Sequence, residues 1–92
     1  MTLLTAQEVA SRLNAVPEWK IEEGMLTRTF VFMDFVAALI FVNRVAECAE
    51  KAAHHPDIDI RYNHVRLGLA THDAGGLTAK DFDFAVVADG LI

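Results

Sequence analysis

Three of the four histidines stand where a scaffold presents reactive groups. His54 and His55 adjoin one another just before Pro56. His72 is followed by Asp73-Ala74-Gly75-Gly76, a run whose glycines let backbone come close to a ligand. An imidazole titrates near neutrality and gives or takes a proton, so the chemistry that suits this trio is acid–base transfer. Three imidazoles are also enough to hold zinc. No cysteine joins them, however, and their spacing matches none of the usual short zinc patterns, so no metal is expected.

Each of these residues also has a plainer reading. A histidine at a strand end is often only solvated, and neighbouring histidines on a helix point in different directions. His64 falls in an expected turn and reads as solvated. Asp81 sits where it caps a helix, and the same carboxylate can orient a histidine. Asp57 and Asp59 read as a polar strand face. Arg44 reaches solvent from the middle of a helix, and Cys48 reads as packing rather than as a nucleophile.

The elements that must position these groups follow from pattern. Thr5 to Val16 reads as a helix. Thr5 and Glu8 have capping-box spacing, Val9, Leu13 and Val16 share a face, and Pro17 is the stop. Trp19 to Ile21 and Met25 to Phe32 read as a hairpin turning at Glu22-Glu23-Gly24. Asp34 caps a long helix to Ala53, with Phe35, Leu39, Val42, Ala46 and Ala49 as its expected stripe. Val36, Ile40 and Val45 lie off that stripe and are also apolar. Such a helix is covered on more than one side, which predicts a homo-oligomer, a dimer or tetramer built through residues 34–53.

After Pro56, the alternations Ile58, Ile60, Tyr62 and Val65, Leu67, Leu69 predict two strands turning at Asn63. His72 then ends the fourth strand. Thr78 caps a last helix with Asp81 at the capping-box position, and Phe82, Ala85, Val86 and Asp89 recur at helical spacing. The order α-β-β-α-β-β-α predicts an α+β fold. It is one four-stranded, largely antiparallel sheet with helices on one face, a single domain over residues 1–92.

Composition narrows the classes. Hydrophobic residues make up 53% of the 92 residues and charged ones 23%, enough apolar surface to fold as one domain. Thirteen acidic groups against 8 basic ones give a formal net charge of −5, which argues against direct binding to nucleic-acid phosphates. A lone cysteine forms no intrachain disulfide and fits a reducing compartment. The longest wholly apolar run, Phe35 to Val42, falls far short of the roughly 20 residues that cross a bilayer, and no secretory signal is recognisable. A cytoplasmic domain away from membranes is the expectation.

Taken together, three runs resemble the pterin-4a-carbinolamine dehydratase family. They are Glu50-Lys51-Ala52-Ala53-His54-His55-Pro56, Tyr62-Asn63-His64-Val65, and Thr71-His72-Asp73-Ala74-Gly75-Gly76-Leu77-Thr78-Ala79-Lys80-Asp81. The likeness extends to Trp19, the Phe-rich second strand and Asn43-Arg44-Val45-Ala46. The mammalian member of that family is also a dimerisation cofactor of a homeodomain transcription factor.

The resemblance implies the fold read above and helix-mediated dimers or tetramers. It implies dehydration of 4a-hydroxytetrahydropterin to quinonoid dihydropterin without metal or organic cofactor, which recycles the pterin of aromatic amino-acid hydroxylases. His54, His55 and His72 match the family's three active-site histidines. Asp81 matches an acidic residue near them and Glu50 a glutamate at the rim. Pro56 and Thr71, inside the same motifs, are candidates for binding or orienting substrate. Many members carry an acid directly before His-His where this chain has Ala53, which leaves no carboxylate at that point. The alternative is a coactivator-like protein-binding module on the same fold, docking a partner through the long helix with the pocket unused. The intact trio favours the enzyme.

Overall fold

The computed structural model describes residues 2–92. Its elements run α1 (Ala6–Leu13), β1 (Lys20–Glu22), β2 (Met25–Val31), α2 (Phe35–Ala52), β3 (Asp57–Arg61), β4 (His64–Leu69) and α3 (Ala79–Asp89), with a 3-10 turn at His72–Ala74. The four strands form one antiparallel sheet in the order β1-β2-β4-β3. The α+β architecture and the order of elements are those expected from the sequence.

Register explains which face is dry. Leu26 pairs with Leu69, Arg28 with Leu67 and Phe30 with Val65 across β2 and β4. These side chains lie on the helix side, where Leu26, Phe30, Val65, Leu67 and Leu69 are buried with Phe41, Val45, Phe82 and Ala85 in one core. Phe41 sits at its centre, with ring centroids 4.6 Å from Phe30 and 5.0 Å from Phe32. The opposite face carries Thr29, Arg66, Asp59 and Arg61, with Arg66 and Asp59 directly paired. Among the described residues no helix is long and apolar enough to cross a membrane.

The boundaries differ from expectation in ways that local hydrogen bonds explain. The first helix ends at Leu13, not Val16, because Ala15 and Val16 bond back to Arg12 and Leu13 in tight i→i+3 turns. Val16 is nonetheless buried. Trp19 precedes β1 instead of opening it, and the turn is only Glu23-Gly24, both at positive φ, as a two-residue type I′ hairpin requires. Tyr62 is no strand residue. It takes φ 52° in the Tyr62-Asn63 loop. Asn63 then ties the loop down, its side-chain amide donating to the Phe32 carbonyl at 2.8 Å while Phe32 N–H donates to the Asn63 carbonyl.

Two helix faces are also corrected. The buried residues of α2 are Ala38, Phe41, Val45 and Ala49, a stripe turned by one residue from the expected one and sharing only Ala49 with it. Val45, placed off the stripe, is fully buried, whereas Phe35 and Ala46 are exposed. In α3 Phe84 and Ala88 are buried beside Phe82 and Ala85, and Val86 faces outward. The α3 helix is anchored to the sheet by Asp89, whose Oδ1 accepts from Trp19 Nε1 at 2.8 Å and from Arg28 Nη1 at 2.7 Å.

Candidate active site

The end of α2 sets the first two histidines. Ala53 takes the left-handed conformation, φ 51°, ψ 41°. Its N–H donates to the Glu50 carbonyl, and the next N–H, of His54, donates to the Ala49 carbonyl. This Schellman closure satisfies the last helical carbonyls and turns the chain sharply. His54 is thereby folded under the helix end and is 8% exposed, while His55 points out. The adjacent pair does diverge, as neighbours must, and the divergence gives them different surroundings.

His54 meets Asp81, which is wholly buried in the first turn of α3. Nε2 of His54 lies 2.7 Å from Asp81 Oδ1. The other carboxylate oxygen, Oδ2, accepts from Thr78 N–H at 2.9 Å and from the Thr71 hydroxyl at 2.9 Å. Donors converge on Asp81 and no acceptor faces it, the pattern of an ionised carboxylate, so His54 donates from Nε2. Among the described residues Nδ1 has no hydrogen-bond partner. No buried side-chain nitrogen among the described residues lacks one, so Nδ1 is reached by solvent. The His54 ring is held edge-on to Phe84, centroids 6.5 Å apart.

His55 is exposed and bonds through Nε2 to the Glu50 carboxylate one helical turn back, also exposed. His72 does not end the fourth strand. β4 stops at Leu69, and His72 opens the 3-10 turn beyond it, exposed. That turn is closed by a bridge between Thr71 and Gly76 and by Gly75 in the left-handed conformation, φ 75°. His64 opens β4, is exposed, and bonds to the Asn63 side chain.

The cavity these residues share has a volume of about 340 Å³. His54, His55, Pro56, Thr71 and His72 all line it. Asp81 stands behind His54, and Glu50 reaches it only through His55. Asp57, read from the sequence as part of a polar strand face, also lines it, as do Asp73 and Lys80, which were not singled out as site residues. A signal for Lys80 was present: it lies between the capping residues Thr78 and Asp81, hence on the helix turn nearest the histidines. A second, mostly apolar cavity of about 230 Å³ shares His54 and Lys80 with it and is lined by Ala52, Asp83, Phe84 and Val87. Among the described residues no group of three or more His, Cys, Asp or Glu side chains is gathered as a metal-binding set.

A small α+β domain whose histidines converge on one open cavity, one of them backed by a buried carboxylate, defines a class suited to proton-transfer chemistry on a small molecule. The comparisons then narrow it: the chain belongs to the pterin 4 alpha carbinolamine dehydratase family, whose family model matches residues 2–91. Relatives that carry the family's name include one from Acidobacterium capsulatum, 55% identical over the full length of both chains. Another, from Chloroflexus aurantiacus, is 52% identical, covering 100% of this chain and 99% of its own.

Among solved structures, a transcriptional coactivator/pterin dehydratase from Brucella melitensis superposes with a TM-score of 0.94 at 35% identity, covering 98% of each chain. A pterin dehydratase-like RuBisCO assembly factor of the alpha-carboxysome shares the fold at a TM-score of 0.65 and 23% identity, covering 79% of this chain and 84% of its own. Family membership supports a dehydratase, a lyase by reaction class.

Proposed function

We propose that this protein dehydrates 4a-hydroxytetrahydropterin to quinonoid dihydropterin by histidine acid–base catalysis. The observation that carries this reading is the shared cavity. It joins His54, with Nε2 committed to Asp81 and Nδ1 free, to its neighbour His55 and to His72 on a separate element. In the reaction an acid protonates the departing 4a-hydroxyl, the C–O bond breaks and water leaves. A base takes the proton from the adjacent ring nitrogen, and the released electron pair forms the C=N bond. No electrons leave the system, so the two imidazoles suffice without metal or organic cofactor. His54 and His72 form the acid–base pair, and His55 holds the pterin, steadied by Glu50. Pro56 and Thr71 line the cavity and help bind or orient the substrate. Such catalysis recycles the pterin of aromatic amino-acid hydroxylases in the cytoplasm.

The test is stopped-flow ultraviolet spectroscopy with freshly generated 4a-hydroxytetrahydropterin and metal-free protein. Dehydration faster than the spontaneous rate is expected, and its loss in the His54→Ala/His72→Ala protein. A well-folded wild type that does not accelerate the reaction refutes the proposal and favours the partner-binding module.

A second reading, compatible with the first, concerns assembly. The α2 helix leaves Val36 64% and Ile40 48% exposed beside Phe35, more apolar surface than a lone helix face needs. We propose that copies of the chain cover it, as a homodimer or homotetramer through residues 34–53. Light scattering at low micromolar concentration that finds only a 10.2 kDa particle refutes this.

A further inference from the structure

The polar groups behind His54 form a chain with a fixed direction. The Lys80 amide donates to Thr78 Oγ1 at 3.3 Å, Thr78 Oγ1 lies 2.8 Å from Thr71 Oγ1, and Thr71 Oγ1 lies 2.9 Å from Asp81 Oδ2. Each threonine has one hydroxyl proton to give. If Thr71 spent its proton on Thr78, two oxygen lone pairs would confront each other at the carboxylate. Thr78, already accepting from Lys80, would be left with no acceptor in buried surroundings. The order is therefore Lys80 N–H to Thr78, Thr78 to Thr71, Thr71 to Asp81. All members but Lys80 are buried, which limits competition from water.

We infer that Thr71 and Thr78 are positioning residues. Their one-way donor chain fixes the Asp81 carboxylate so that His54 is held as the Nε2–H tautomer, with Nδ1 unprotonated. Thr71 is held by the Gly76 bridge and Thr78 by the start of α3. The chain thus ties the carboxylate to two backbone segments at once, and the ring orientation follows the carboxylate. This rests on the proposed function only for its kinetic consequence, since the tautomer itself is readable without substrate.

The experiment is ¹⁵N NMR of histidine-labelled protein, substrate-free, joined to the dehydration assay. Wild type is expected to show His54 with a protonated, pyrrole-like Nε2 and a pyridine-like Nδ1. Thr71→Val is expected to mix the tautomers and to lower kcat by about tenfold, the scale of one hydrogen bond to a charged group. Thr71→Ser, which keeps the hydroxyl, is expected to restore both. A wild-type His54 carrying its proton on Nδ1 overturns the inference, as does a folded Thr71→Val protein with an unchanged His54 spectrum. If Thr71→Val does not fold, hydroxyl protons of Thr71 and Thr78 in wild type decide: slow exchange supports the chain and rapid exchange overturns it. Normal tautomers with no dehydration would refute the proposed reaction and leave the chain standing.

Discussion

His54 Nε2 and Asp81 Oδ1 lie 2.7 Å apart across 27 residues of sequence, and the carboxylate that receives the imidazole also caps α3 through Thr78 N–H. One side chain therefore begins a helix and orients a histidine. Asp81→Asn keeps the size but replaces one oxygen by an NH2 donor facing at least one of three donors. A stability loss of about 1–3 kcal/mol is expected in urea unfolding, from an unmet buried group. Dehydration is expected to fall with it, because His54 can meet the new NH2 only by giving up its Nε2 proton.

Asp89 joins the indole of Trp19 and the guanidinium of Arg28, far from the cavity. Asp89→Ala is expected to cost about 1–3 kcal/mol, since hydrogen bonds to a charged group are lost from a partly buried site. The Trp19 emission should shift to the red. The dehydration rate of the folded fraction should stay at the wild-type level.

Ala53 holds a left-handed φ of 51°, a conformation that costs a residue with a Cβ roughly 1–2 kcal/mol. Ala53→Gly removes that cost but adds freedom to the unfolded chain, an opposing effect of about 0.4–1 kcal/mol. Thermal unfolding is expected to show a gain of about 1 kcal/mol or less. Ala53→Val, branched at the strained position, should instead lose stability and disturb His54.

Glu22 ties β1 to its neighbours, accepting from the Thr27 hydroxyl at 3.0 Å and from Arg66 at 3.3 Å. These bonds, Thr27 first, hold its carboxyl below the ordinary value of 4.5. The folded state thus favours the ionised form. The contribution is fully present above 4.5 and is lost as pH falls through the lower folded-state value. Urea unfolding of wild type and Glu22→Gln should differ at neutral pH and converge in that acid window. A difference that persists unchanged to the lowest pH contradicts the assignment.

Local chemistry carried much of the fold into the sequence. Thr5 with Glu8 and Thr78 with Asp81 mark helix starts because caps act within one turn, and Glu23-Gly24 and Asn63 mark hairpins because turn residues act on their own backbone. The three histidines were legible as residue types at telling places. The buried stripe of α2 was not. Its apolar residues encircle the helix, so periodicity gives no direction, and only packing against Phe30 and Phe32 selects the face of Phe41 and Val45.

The separate characters of the adjacent histidines also waited on tertiary structure. The sequence determined that His54 and His55 follow a helix end and that Asp81 begins another. The Schellman closure at Ala53 decided that His54 is buried and His55 solvated. The packing of α3 against that end decided that Asp81 meets Nε2, leaving Nδ1 without a protein partner. A carboxylate and an imidazole far apart in sequence meet only when the whole core brings two helix termini together, and no local pattern encodes that distance.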